Sequence, residues 1–122
     1  MVGATIGRLG VAPATWAGAN IARAVARIKP IPSILRDYLL LVLQAEVVQA
    51  YFRTTTRTLA QPTLNVGMIE QTPIPLPPLA EQRRIVAKVD ELMALVDELE
   101  TPLATARTSV TALLAAAIAE LV

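Results

Sequence analysis

A heptad repeat of apolar residues in the C-terminal third is the feature that most constrains how this chain can fold. The apolar positions follow alternating steps of four and three residues, with charged residues between them. This spacing predicts one long helix whose apolar stripe is too long for the small remainder of the chain to cover. We therefore expect the helix to pair with another helix. The seam of that pairing consists of Ile85, Val89, Leu92, Val96, Leu99, Leu103, Ala106, Val110, Leu113 and Ala117.

The proline within this helix tests the prediction. Pro102 lacks a backbone N–H and should clash with the carbonyl of Glu98. It could instead begin a second helix, with Thr101 as the N-cap. Because the heptad phase continues unchanged past Pro102, we expect one helix over Leu79 to about Leu121 with a kink.

The composition narrows the possible functions. The 122 residues include no cysteine and no histidine. This removes disulfides, thiolate metal sites, the commonest general base and the usual zinc ligands. We expect no catalytic site, no metal site and no cofactor. No signal peptide and no uninterrupted apolar run of about 20 residues is visible, so we expect a cytoplasmic protein without a membrane partner.

Charge is distributed unevenly along the chain. Residues 1–60 hold seven basic and two acidic side chains, a net charge of +5. Residues 61–122 hold four basic and eight acidic side chains, a net charge of −4. A basic N-terminal half suits contact with a polyanion, although ordinary surface charge explains the same numbers.

Alternation of apolar with small or polar residues predicts strands in the N-terminal half. The pattern indicates a β-hairpin or two short strands over Met1–Pro13 and a short strand over Leu64–Ile69. Asn20–Lys29 also alternates, and as a strand it would project three basic side chains from one face. The alanines of this segment are also compatible with a helix.

One helix is predicted between these strands. Ser33 is a suitable N-cap for a helix over about Ile34–Arg53, followed by a polar loop at Thr54–Gln61. Phe52 and the tyrosines keep helical spacing, which favours the core over stacking on bases. The apolar stripe expected to form that core is Leu35, Tyr38, Leu39, Val42, Leu43, Val47, Ala50 and Tyr51.

The segment PLPPLAEQRRIV, followed by the heptad helix, resembles the conserved region of the specificity subunit of Type I restriction–modification systems. The order GATIGRLGV, GANIARAVARI, a helix, then AQPTLNVGMIEQTPIPLPP is similar to the later part of that family's target-recognition domain. The resemblance covers nearly the whole chain, and the earlier strands and loops of the domain are expected to be absent. The predicted fold is α+β, with a small, partial, β-rich recognition domain containing one packed helix (residues 1–72). A proline-rich connector (73–78) and a long coiled-coil-type helix (79–122) follow.

The resemblance implies a subunit that does no chemistry itself. In the family, recognition domains bind two DNA half-sites, and conserved helices set the spacing and dock methyltransferase subunits. The twenty-two residues of Leu79–Glu100 would span about 33 Å as a helix, close to one turn of DNA. We expect double-stranded DNA and the methyltransferase subunit as partners, and a homodimer formed by antiparallel pairing of two seams. The alternatives are a coiled-coil dimerisation or adaptor module that binds only protein, and a truncated remnant without function.

Two groups of site residues are predicted. Phosphate contact is expected from basic residues of the N-terminal half, with two weaker polar candidates, unless they form only a solvated surface. This DNA-binding group is Arg8, Arg23, Arg27 and Lys29, with Thr5 and Asn20. Docking of the methyltransferase is expected at the start of the long helix, where helix initiation is the alternative role. This partner-binding group is Pro77, Pro78, Leu79, Glu81, Gln82 and Arg83.

Overall fold

A computed structural model of the chain describes residues 6–22, 25–57 and 63–122. The chain divides into two units, Met1–Val86 and Ala87–Val122. Regular structure in the described ranges is helical. It consists of a 3₁₀ turn at Ala14–Trp16, α1 at Arg36–Gln44, α2 at Glu46–Thr56, α3 at Val66–Glu70 and α4 at Leu79–Leu121.

The predicted α+β fold with a β-rich recognition domain is wrong, because the described residues contain no strand. The hairpin predicted over Met1–Pro13 lies partly outside the described residues, and residues 6–13 form only a turn and irregular backbone. The described residues of Asn20–Lys29 are likewise irregular. Alternation reports which side chains can share a face, but a strand also needs a neighbouring strand to exchange backbone hydrogen bonds.

The strand predicted at Leu64–Ile69 is replaced by α3. Asn65 is its N-cap, and the Asn65 side chain accepts a hydrogen bond of 2.9 Å from the backbone N–H of Met68. An asparagine in this position satisfies one of the unpaired N–H groups at a helix start. The Asn65 cap therefore favours a helix in this segment, which is too short for its apolar periodicity to distinguish a helix from a strand.

The single helix predicted over Ile34–Arg53 is two helices, because Ala45 leaves the helical region of backbone space. Its ψ angle of 141° makes Ala45 both the C-cap of α1 and the N-cap of α2. The break shifts the buried face by about one residue. Val47, predicted to be in the core, is 82% exposed, and Val48 is buried instead. α2 also continues to Thr56, into the predicted polar loop, part of which lies outside the described residues.

The core of unit Met1–Val86 lies between α1 and α2. Tyr38 and Phe52 are buried, which confirms their predicted core role, and Tyr51 is half-buried. The buried apolar cluster consists of Leu39, Leu43, Val48, Phe52 and Leu64, with Ile6, Leu9, Ile34, Val42, Tyr51, Met68, Ile69 and Ile74 packed around it.

α4 is continuous from Leu79 to Leu121, with Pro102 inside it, as the uninterrupted heptad phase predicted. Nearby threonines bond back to carbonyls one turn earlier, as Thr101 does to Asp97 at 3.3 Å and Thr105 to Thr101 at 3.1 Å. By length and composition alone, this helix is also apolar enough to cross a membrane, although one such helix is weak evidence for a span.

Replacing Gly7 by alanine is expected to destabilise unit Met1–Val86 by about 1–2 kcal/mol. Gly7 has a φ of 84°, and an added Cβ would lie 2.2 Å from the side-chain oxygen of Gln49. Gly10 is the matched control, since a Cβ there meets nothing within 4 Å. Urea unfolding of Gly7→Ala and Gly10→Ala measures the difference. Equal stability of the two variants would show that Gly7 is not held in this conformation.

Candidate nucleic-acid interface

A shallow groove on unit Met1–Val86 brings together four of the seven basic residues of the N-terminal half. Its volume is about 420 Å³. One wall is the irregular segment that follows Gly7, another is the segment before Pro30, and α1 closes the third side. The lining residues are Arg8, Leu9, Gly10, Val11, Ala12, Val25, Ala26, Arg27, Ile28, Lys29, Pro30, Arg36, Leu39, Leu40 and Leu43. We call this the basic groove.

The basic groove carries positive charge without acidic lining residues. Arg8, Arg27 and Lys29 are exposed, and none of the three takes part in an ion pair in the described part of the chain. Arg36 does pair with Asp37, at 3.2 Å, but both side chains are exposed and adjacent in sequence. Such surface pairs contribute at most about 1 kcal/mol. All four cations therefore remain available to an anion.

The floor of the basic groove is fixed by the core beneath it. Leu39 and Leu43 line the groove and also belong to the buried apolar cluster. The Gln49 side-chain amide donates to the carbonyl of Gly7 at 3.1 Å and to that of Leu43 at 2.7 Å. These bonds hold the backbone immediately before Arg8 against the junction of α1 and α2. The position of Arg8 thus depends on tertiary contacts rather than on a strand.

The structure gathers half of the predicted DNA-binding group. Arg8, Arg27 and Lys29 line the basic groove, while Asn20 is exposed but is not a lining residue. Thr5 and Arg23 lie outside the described residues. The prediction omitted Arg36, which completes the basic lining. Its closeness in sequence to Lys29, seven residues earlier, was the available signal.

Gln82, from the predicted partner-binding group, is instead the most deeply buried side chain described, with 0% exposure. Its amide nitrogen donates to the carbonyls of Ser33 and Pro77, each at 2.9 Å. Its side-chain oxygen accepts from the backbone N–H of Leu35, the N-cap of α1, at 2.8 Å. One glutamine therefore ties the first turn of α4 to the connector before it and to the start of α1.

The connector has a second anchor in the core. The buried Tyr38 hydroxyl donates to the carbonyl of Pro75 at 3.0 Å, and Ile74 packs around the apolar cluster. The proline-rich connector is thus held against the core at Ile74 and Pro75.

The other members of the partner-binding group are more exposed than Gln82. Pro78 and Arg83 are exposed, whereas Pro77 and Leu79 are half-buried. Glu81 is half-buried and pairs with Arg84 at 2.8 Å, one helical turn away. The exposed and half-buried members can contact another molecule, while Gln82 can only position them.

The seam residues of α4 form a long apolar stripe. Ile85 and Val89 are half-buried, and every later seam residue is exposed. Among the large ones, Leu92 is 48% and Leu113 is 70% exposed. An apolar stripe of this length in water is typical of a helix that associates with another helix or an apolar phase.

No group of three Asp or Glu side chains that could hold a metal ion is found in the described ranges. The described residues offer cations for an anion at the basic groove and apolar contact at the seam.

Comparison with known proteins gives one consistent result. Residues 1–105 match the family described as the Type I restriction modification DNA specificity domain. The chain is 38% identical over 101 residues to the Type I restriction enzyme EcoBI specificity subunit of Escherichia coli. That match covers 82% of this chain and 21% of the relative, so the chain spans about a fifth of the relative's length. No solved structure matches.

Proposed function

The chain belongs to the Type I restriction modification DNA specificity domain family, and we propose that it is a non-catalytic part of such a specificity subunit. In this proposal the basic groove contacts double-stranded DNA, and α4 associates with other helices. Methyl transfer and DNA cleavage belong to partner subunits. The chain acts in the cytoplasm, where its DNA target lies.

The observation that supports DNA contact is the convergence of Arg8, Arg27, Lys29 and Arg36 on one groove without an acidic lining residue. These residues come from three separate segments of the chain, so their clustering is a property of the fold. Lysine and arginine neutralise phosphates and release counterions, which makes the affinity fall as salt rises. Such contacts position the protein on the duplex without reading its sequence.

The exposed seam supports a homodimer as part of this function. Two copies that pair their seams in an antiparallel two-fold arrangement would cover the same apolar stripe on both helices. Leu79–Glu100 is helical throughout and measures about 33 Å along its axis. That length is close to the separation of half-sites one DNA turn apart. The pair would then act as a stiff spacer.

We further propose that the exposed and half-buried residues around Gln82 dock the methyltransferase subunit. Pro78 offers an apolar ring at the surface, and Arg83 offers a guanidinium that forms no ion pair with any described residue. Gln82 contributes indirectly, by fixing the backbone from which they project. Co-purification with the methyltransferase subunit, lost on Arg83→Glu and Pro78→Ala together, is the expected result.

Reversing two charges in the basic groove is expected to weaken binding of duplex DNA about tenfold or more at low salt. The variant is Arg27→Glu with Lys29→Glu, which replaces two exposed lining cations by anions. The slope of log K against log salt concentration should also become shallower. Gel-shift titration of one labelled duplex at several salt concentrations measures both quantities.

The matched control makes the same change in charge outside the groove. Arg57→Glu with Arg107→Glu also reverses two exposed arginines, neither of which lines the groove. Net charge alone would weaken both double variants equally. That result would remove the basic groove as the DNA contact.

A second function, a helical adaptor that binds only protein, is favoured by the long exposed seam alone. It predicts strong self-association without affinity for a duplex at low salt. The titration described above separates the two proposals directly.

A further inference from the structure

The chain's one tryptophan is displayed to solvent on a tightly bonded turn. Trp16 is 65% exposed and ends the 3₁₀ turn Ala14–Trp16. Its backbone N–H donates to the carbonyl of Pro13 at 3.0 Å, and its carbonyl accepts from Ala19 at 3.0 Å. Gly18 has a φ of 84°, which reverses the chain immediately afterwards. The backbone therefore holds a large apolar side chain outward at low conformational cost.

In sequence, this turn lies between two stretches that line the basic groove, Gly10–Ala12 before it and Val25–Pro30 after it. Trp16 follows the first of these stretches by four residues. Trp16 itself is not a lining residue and belongs to neither the buried cluster nor its surrounding residues.

Resting on the proposed DNA-binding function, we propose that Trp16 contacts the bases of a duplex bound along the basic groove. The cations of the groove account for phosphate contact but provide no surface for a base. An indole offers a flat apolar face, and such side chains contribute by stacking or by wedging at base steps. Trp16 would contribute to the free energy of DNA binding through apolar contact, whereas the lining cations contribute through counterion release.

The expected effect of Trp16→Ala is a loss of affinity of about tenfold for duplex DNA. The slope of log K against log salt should stay that of the unchanged protein, because no phosphate contact is removed. Trp16→Phe should keep most of the affinity, since an aromatic face remains. Val47→Ala is the control, because it shortens an apolar side chain that is even more exposed than Trp16 and does not line the groove.

Fluorescence gives a direct readout, because every photon of tryptophan emission comes from this residue. The full chain is titrated with a short duplex of mixed sequence, and emission is recorded with binding followed separately through a labelled strand. Quenching of Trp16 that saturates together with binding is the expected result. Circular dichroism of each variant verifies that the helices are intact.

The outcomes separate the inference from the function on which it rests. Binding without any change in emission, or with full affinity in Trp16→Ala, overturns the role of Trp16 and leaves the groove as the DNA contact. A shallower salt slope in Trp16→Ala also overturns it, because the variant would then have disturbed the cations. A chain that binds no duplex at low salt overturns both proposals.

Discussion

Substituting alanine for Gln82 is expected to lower the free energy of unfolding of unit Met1–Val86 by about 3 kcal/mol. The substitution removes three hydrogen bonds and leaves the carbonyls of Ser33 and Pro77 and the N–H of Leu35 without their partner. Because these three partners belong to exposed or half-buried residues, each lost hydrogen bond costs about 0.5–1.5 kcal/mol. Urea unfolding followed by circular dichroism measures the loss.

Two further variants define the cause. Arg83→Ala changes the next residue along α4, which is exposed, and should alter stability by less than about 0.5 kcal/mol. Gln82→Glu keeps the shape and the acceptor, but a carboxylate cannot donate to the two carbonyls. It should be at least as destabilising as alanine. A Gln82→Glu protein as stable as the unchanged chain would mean that these hydrogen bonds do not hold α4 to α1.

If two copies pair through the seam as proposed, placing a charge on it is expected to raise the dissociation constant of that homodimer at least about 100-fold. In Val96→Asp a carboxylate would be buried between two apolar helices, in both copies at once, without a partner. Ala94→Asp is the matched control, because it adds the same charge two residues away on the side of α4 opposite the seam. Sedimentation equilibrium over a range of protein concentrations gives both constants.

The same pair of variants tests what covers the seam. A membrane would treat the two aspartates alike, since a helix within lipid is apolar around its whole circumference. Equal loss of association for Val96→Asp and Ala94→Asp, with recovery of the unchanged chain in the membrane fraction, would refute helix pairing in favour of a span. A monomeric unchanged protein at micromolar concentration would refute the homodimer outright.

The long helix and the central part of the core could be predicted from sequence because each depends on local spacing. The unchanged heptad phase correctly predicted that α4 continues beyond Pro102, and helical spacing identified Tyr38 and Phe52 as core residues. The same reasoning failed at Ala45, where no Gly or Pro marks the end of α1. One residue with an extended backbone moved the buried position from Val47 to Val48.

Strand prediction failed for a different reason. Alternation in Asn20–Lys29 describes one segment, whereas a sheet depends on pairing between segments that no local pattern encodes. Val25–Lys29 of that segment line a groove instead, and Arg27 and Lys29 lie there with Arg8 and Arg36. Sequence identified most of the cations but not the contacts that bring them together.

The role of Gln82 was likewise beyond sequence reasoning. A glutamine in a charged, solvent-facing stretch of helix is ordinarily exposed. Its burial depends on Ser33 and Leu35, which are nearly fifty residues away in the chain, at separations of 49 and 47. The motif AEQRR could be associated with a family from its letters alone. Only the structure shows that Gln82, the second polar residue of this motif, is buried and hydrogen-bonded to other segments.

Sedimentation velocity of the chain mixed with a fluorescent duplex tests the central claim most directly, since it reports DNA binding and stoichiometry together. In the proposed complex, two copies joined through α4 place their basic grooves on one duplex. A fluorescent complex containing two chains for each duplex is the predicted result. A chain that leaves the duplex sedimenting alone, or that binds it as a single copy, would contradict the account.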